Sequence, residues 1–157
     1  MTLTILMSPA RVSTSLHADA ERLADIITSL QRSFMLRLSQ DLAKGHVSFT
    51  QYFLLGFLVQ QGPLNMSAIA ARMGTTTAAA TGLVDRLEKL DLVRRGPAAG
   101  DRRKIIVQPT AAGVALVAEV RDDMIGNVLK IMAHLSPGEQ KAWVQIYEKI
   151  ILYCQET

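Results

Sequence analysis

Between Arg94 and Lys104 stand five basic residues and one acid: Arg94, Arg95, Arg102, Arg103 and Lys104 against Asp101. A net +4 in eleven positions is chemistry for binding rather than for bond making. Guanidinium and ammonium groups hold phosphate oxygens, and a guanidinium is permanently charged, weakly hydrated and suited to a narrow groove. Just upstream, Thr75-Thr76-Thr77-Ala78-Ala79-Ala80-Thr81-Gly82 offers hydroxyls and methyls on a background of small residues. Threonine hydroxyls can bond bases or phosphates, and their methyls can pack on thymine methyls. The segment holds no arginine, so it cannot read guanine through a bidentate pair. The candidate polyanion contacts are therefore Thr75, Thr76, Thr77 and Thr81, with Arg86, Arg95, Arg102, Arg103 and Lys104. Arg86, Arg95, Arg102 and Lys104 read as phosphate contacts. Thr75 to Thr77 read equally well as helix caps.

The charge is concentrated. Over 157 residues the balance is only +3, yet residues 66–110 hold eight basic and four acidic residues against nine and ten elsewhere. All of the positive excess lies in one 45-residue stretch, as expected where one lobe meets a polyanion. Catalytic patterns are missing: there is no Gly-rich phosphate loop, nucleophile elbow or paired-carboxylate motif. Asp85 and Glu88 read as surface charges or salt-bridge partners. His17, His46 and His134 are too scattered for a metal site. The single cysteine, Cys154, excludes an intrachain disulfide. On its apolar stripe it reads as a buried interface residue, with thiol-based redox sensing as the alternative.

Apolar runs such as Phe53-Leu54-Leu55 and Phe57-Leu58-Val59 fall far short of the roughly 20 residues of a membrane span. The first ten residues lack the basic start of a signal peptide. A soluble cytoplasmic protein is expected, with no enzymatic activity, no cofactor and no membrane partner.

These side chains need a scaffold. Leu16, Ala20, Leu23, Ile27, Leu30, Phe34 and Leu38 recur at helical spacing over about six turns, with Lys44-Gly45 as the stop. A helix over 50–61 follows, capped by Ser48 and ended by Gly62-Pro63. Asn65 caps a short helix over 66–73 with Ile69, Ala70 and Met73 inward; Gly74 ends it. Thr75 or Thr76 opens the next helix, to about Leu90, with Leu83, Val84 and Leu87 inward. Helix, glycine turn, helix is the helix-turn-helix pattern. Leu92 to Arg95 and Lys104 to Gln108 then read as short strands around a six-residue loop, Gly96-Pro97-Ala98-Ala99-Gly100-Asp101. Val117, Val120, Met124, Val128 and Met132 mark another helix. Ser136-Pro137-Gly138-Glu139 opens the last one, which carries Trp143, Ile146, Tyr147, Ile150, Ile151 and Cys154.

The run from Leu64 to Gly74 resembles the helix that positions the reading head in MarR-type regulators (multiple antibiotic resistance regulators). Leu83 to Arg95 is similar to the end of their recognition helix and first wing strand. Asp101-Arg102-Arg103 matches their Asp-x-Arg wing tip, and Thr110-Ala111-Ala112-Gly113 their Thr-x-x-Gly. The similarity runs from about Phe49 to Gly113. Two departures stand out: 75–82 lacks the Arg or Lys common there, and Pro109 stands where Leu is usual.

The resemblance implies a mainly α fold: a winged helix-turn-helix with long N- and C-terminal dimerisation helices and a small β-hairpin wing. The expected division is a helical dimerisation region, 12–46 with 110–157, around a winged helix-turn-helix over 47–109. It further implies a homodimeric repressor on a pseudo-palindromic double-stranded DNA operator, with Arg103 entering the minor groove while Asp101 orients it. Asp101, the lone acid among the wing cations, belongs to the candidate site through this resemblance. A small, often aromatic effector would act by favouring a head spacing that fits DNA badly. A winged helix that binds another protein instead of DNA is the rival, favoured by the alanine-rich segment and opposed by the charged wing.

Overall fold

The computed structural model describes residues 14–44 and 46–156; the side chains of Thr14, Asp41, Lys44 and Arg102 are not among those described. The expected start at 12, the first ten residues and Gly45 lie outside this range. The elements in chain order are α1 (Thr14–Lys44), α2 (Phe49–Gln61), β1 (Leu64–Asn65), α3 (Met66–Arg72) and α4 (Thr77–Lys89). They continue with β2 (Val93–Ala98), β3 (Asp101–Pro109), α5 (Ala111–Met132) and α6 (Pro137–Glu156). The mainly helical winged-helix architecture is thus as expected.

The chain divides into two compact units between Ser48 and Phe49. The first is essentially α1, whose Leu23, Ile27, Leu30 and Phe34 form an exposed apolar row at helical spacing. Its helix ends with His46 in the left-handed region (φ 56°) and Val47 N–H donating to Leu42 C=O at 3.1 Å.

In the second unit one core joins α2, α3, α4 and the sheet. Leu54, Leu55, Leu58, Ile69, Ala80, Val84, Leu87 and Val107 are fully buried, and Val93 nearly so. Met73 and Leu83, expected inward, are half-buried. The sheet has the order β1-β3-β2, all antiparallel. β1 was not expected: two residues carry no period, and Leu64 and Asn65 become a strand only by pairing with Val107 and Ile106. The wing is also longer than its sequence suggests. Gly96 and Pro97 lie inside β2, paired with Ile106 and Ile105, and only Ala99 and Gly100 remain as a turn. Proline fits there because β2 is an edge strand, where a missing N–H removes no ladder bond. Gly100, at φ 84°, takes the conformation that closes so tight a turn.

Two helix ends share one device. After α3, Thr75 N–H reaches Ala70 C=O (3.0 Å) and Gly74 N–H reaches Ala71 C=O (3.2 Å), with Gly74 left-handed at φ 59°. After α4 the same bonds run from Leu92 to Leu87 and from Asp91 to Glu88, both 3.0 Å, but the left-handed residue is Asp91 at φ 56°. An Asp with a Cβ is strained where glycine is not. Asp91→Gly is therefore expected to raise stability by about 0.5–1 kcal/mol, read as a higher urea midpoint at unchanged slope.

At the start of α6 the expected capping box is formed. Ser136 N–H donates to Glu139 Oε2 at 2.8 Å, Ser136 O–H to the same oxygen at 2.7 Å, and Glu139 N–H to Ser136 Oγ at 3.4 Å. These bonds from the Ser136 hydroxyl and backbone hold the Glu139 carboxyl below its ordinary range. A depressed carboxylate stabilises the fold above its ordinary pKa, and that contribution fades as pH falls through the lowered value. The parent should therefore out-melt Glu139→Gln by a small margin near neutral pH, and the margin should vanish in acid.

Candidate nucleic-acid interface

The order of the head follows from local bonds. Thr76 is the N-cap of α4, its Oγ1 accepting from Ala79 N–H at 3.2 Å. Of the two expected caps Thr76 takes the role, and half-buried Thr75 belongs to the turn. Thr77 is exposed at the first helical position. Thr81 is half-buried and donates its hydroxyl to Thr77 C=O at 2.8 Å, leaving its oxygen free to accept. Ala80 is buried, while Ala78 and Ala79 are exposed. Ala78, Gly82 and Arg86 follow at four-residue steps, so small residues and then an exposed guanidinium lie along one line of the helix.

The wing sorts its cations by strand parity. Val93 and Arg95 share one face of β2, and Val93 is core, so Arg95 points back towards α4. Its guanidinium meets Asp85 Oδ1 at 2.6 Å through Nη2 and Glu88 Oε2 through Nη1, and its backbone N–H donates to Glu88 Oε1 at 3.1 Å. Burial works against the charge here, but the hydrogen bonds and charges of Asp85 and Glu88 outweigh it and hold Arg95 more firmly protonated than a free guanidinium. The wing's charge pattern alone assigns Arg95 to phosphate; in the fold a phosphate would have to displace two carboxylates. The missed signal was the spacing of Asp85 and Glu88, one turn apart on α4, combined with the parity of Val93 and Arg95.

The remaining cations stay outward. Arg86, Lys89 and Arg103 are exposed and make no ion pair among the described residues. Arg94 lies on the opposite face of β2, across from Gln108. Lys104 is 3.7 Å from Asp101 with its side chain 73% exposed, a loose contact that leaves its charge available. Asp101 Oδ1 accepts from Arg103 N–H at 3.0 Å. It thus fixes the backbone that carries Arg103, where the resemblance implied it would orient the side chain. Arg102 lies between them in β3, its side chain outside the described set.

No group of His, Cys, Asp or Glu among the described residues could hold a metal ion, and no described helix is long and apolar enough to cross a membrane. Cys154, expected to be covered at an interface, is exposed in the single chain. An open, mainly apolar groove between α5 and α6 has Val128, Met132, Trp143, Tyr147 and Ile151 in its lining, together with Glu148.

The MarR family model matches residues 47–104, the head just described. The transcriptional repressor MdtR of Bacillus subtilis is 35% identical over 131 residues, covering 82% of this chain and 84% of its own length. The transcriptional repressor NicR of Pseudomonas putida is 33% identical over 105 residues, 64% of each chain. The chain thus spans under two thirds of NicR's length, and likewise of the B. subtilis regulator YfiV, at 62%. Among solved structures, YusO of B. subtilis superposes with a TM-score of 0.70 at 29% identity, over 85% of this chain and 96% of that one. A winged helix-turn-helix of this order, with these matches in sequence and fold, places the chain in the MarR family.

Proposed function

We propose that the chain is a sequence-specific DNA-binding transcriptional regulator, acting as a ligand-responsive homodimeric repressor. One observation carries the reading: the head uses Arg95 internally yet leaves Arg86, Lys89, Arg103 and Lys104 exposed on α4 and the wing. Exposed cations along a helix and hairpin suit a duplex, the helix in the major groove and the hairpin tip in the minor groove. In this reading Thr77, Ala78 and Thr81 face base edges, Arg86 and Lys104 hold phosphates, and Arg103 enters the minor groove. Arg102 joins the phosphate set by its place beside Arg103. Thr75 and Thr76 shape the turn and cap, and Asp101 fixes the wing tip. No catalytic role is proposed, and a protein that reads DNA works in the compartment that holds it.

Dimerisation is supported by the apolar surface that one chain leaves in water. Leu23, Ile27, Leu30 and Phe34 on α1, and Val128, Tyr147, Ile150 and Ile151 on α5 and α6, are each more than a third exposed. Surfaces of this extent mark interfaces, and a two-fold pairing would set the heads about 34 Å apart, one turn of DNA. Family membership supports the remaining element, a small aromatic effector that stabilises an ill-spaced pair of heads.

Footprinting on DNA upstream of the chain's own gene, alongside sedimentation, tests the proposal. A dimer should protect two half-sites about one helical turn apart. A monomer in solution, or a single protected half-site, would contradict it.

A further inference from the structure

Among the described side chains Arg95 is the one basic residue of the wing held by two carboxylates, and its place in the hairpin gives that arrangement a mechanical meaning. It bonds α4 through both side chain and backbone; beyond it Gly96, Pro97 and Ala98 run out to the turn at Ala99 and Gly100. Four residue steps, from Arg95 to Ala99, place the tip roughly 13 Å past Arg95, so a swing of about ten degrees there moves the tip by roughly 2 Å. Groove contacts tolerate far less, on the order of 0.5 Å. The two acids are poorly placed for any other purpose. Glu88 lies in the last turn of α4, where the helix dipole disfavours negative charge, and both carboxylates would repel phosphate if left open. Arg95 masks both, while Glu88 also takes its backbone N–H, so side chain and strand are fixed together.

We infer that Arg95 is a positioning residue: with Asp85 and Glu88 it locks the wing to the recognition helix, so that the two groove-reading elements meet DNA as one rigid body. The inference rests on the DNA-binding reading. It makes a prediction of opposite sign from simple electrostatics. Removing two negative charges from the reading face with Asp85→Asn/Glu88→Gln should strengthen DNA binding if charge alone matters; the lock requires it to weaken.

The experiment is a titration of labelled upstream DNA at several salt concentrations with the parent, Arg95→Gln, and Asp85→Asn/Glu88→Gln, each with a melting curve. Amide exchange over 93–109 is measured in parallel. The lock predicts about tenfold weaker binding for both variants and, for Arg95→Gln, a salt slope like the parent's. Combining the substitutions should add little further loss, since they break one contact. Wing amides should exchange faster while those of α6 do not change. If the acid-to-amide variant folds poorly, the single Asp85→Asn serves in its place. A salt slope shallower by about 2, one contact per protomer, with tighter binding by the amide variant, would make Arg95 a phosphate contact and overturn the inference. Unchanged affinity and unchanged exchange would overturn it equally. A parent that binds no DNA would remove the DNA reading itself, and faster wing exchange in the same variants would tell that failure from a failure of the lock.

Discussion

Replacing Gly113 with alanine is expected to cost on the order of 3 kcal/mol or more, enough to leave a typical domain largely unfolded under mild stress. The reason is a backbone contact that cannot relax. A Cβ on Gly113 would lie far inside van der Waals contact of the Leu92 carbonyl oxygen, with Leu55 Cδ1 closing the other side at 3.1 Å. That same oxygen accepts from Thr110 N–H at 3.1 Å. Thr110 in turn donates its hydroxyl to Asp91 C=O at 2.6 Å and accepts from Gly113 N–H at 3.1 Å. Thr110 and Gly113 thus clamp the end of α4, the root of the wing and the start of α5 together. Moving the oxygen away would break the clamp. Gly126, later in the same helix, meets nothing within 4 Å, and alanine there should stabilise by up to about 1 kcal/mol. Urea unfolding of the two variants against the parent checks both; a Gly113→Ala protein within about 1 kcal/mol of the parent would sink the clamp.

Loss of the Arg103 side chain is expected to weaken operator binding by about 1–3 kcal/mol while leaving melting and dimerisation unchanged. Arg103 is exposed, pairs with no described acid, and is presented by a backbone that Asp101 holds. Its removal creates no cavity and strands no partner, so the fold has little to lose. A narrow minor groove concentrates negative potential, so a guanidinium placed there contributes more than the same charge on open surface. Anisotropy titrations of Arg103→Ala and Arg103→Lys against the parent would show it. Lysine should recover only part of the loss, because a compact, strongly hydrated ammonium enters a narrow groove less readily. If Arg103→Ala bound as tightly as the parent, the wing would not be reading DNA.

Much of this was legible in the chain, because helices announce themselves by period. The stripe from Leu16 to Leu38, the cap at Asn65 and the box at Ser136 and Glu139 each sit where the sequence implies. What depended on pairing across the fold was not legible. Leu64 and Asn65 form a strand only because β3 lies beside them, and Gly96-Pro97 reads as a loop until an edge strand accommodates it. The contact set suffered in the same way. Counting charge in the wing treats Arg94, Arg95 and Arg103 alike, whereas the parity of β2 sends Arg95 inward to Asp85 and Glu88, and Arg103, near the wing tip, is exposed. Charge totals gave the sign of the partner. Only the parity of β2 against the turn spacing of α4 separates a cation that can meet DNA from one that holds the reader in shape.

We propose that this head binds DNA through exposed cations on α4 and the wing. A titration of the chain's own upstream DNA at two salt concentrations tests it most directly. The expected result is affinity that falls steeply, on the order of a hundredfold or more between 50 and 200 mM salt, with a shallower slope when Arg86 is replaced by alanine. Binding insensitive to salt, or no binding at all, would contradict it.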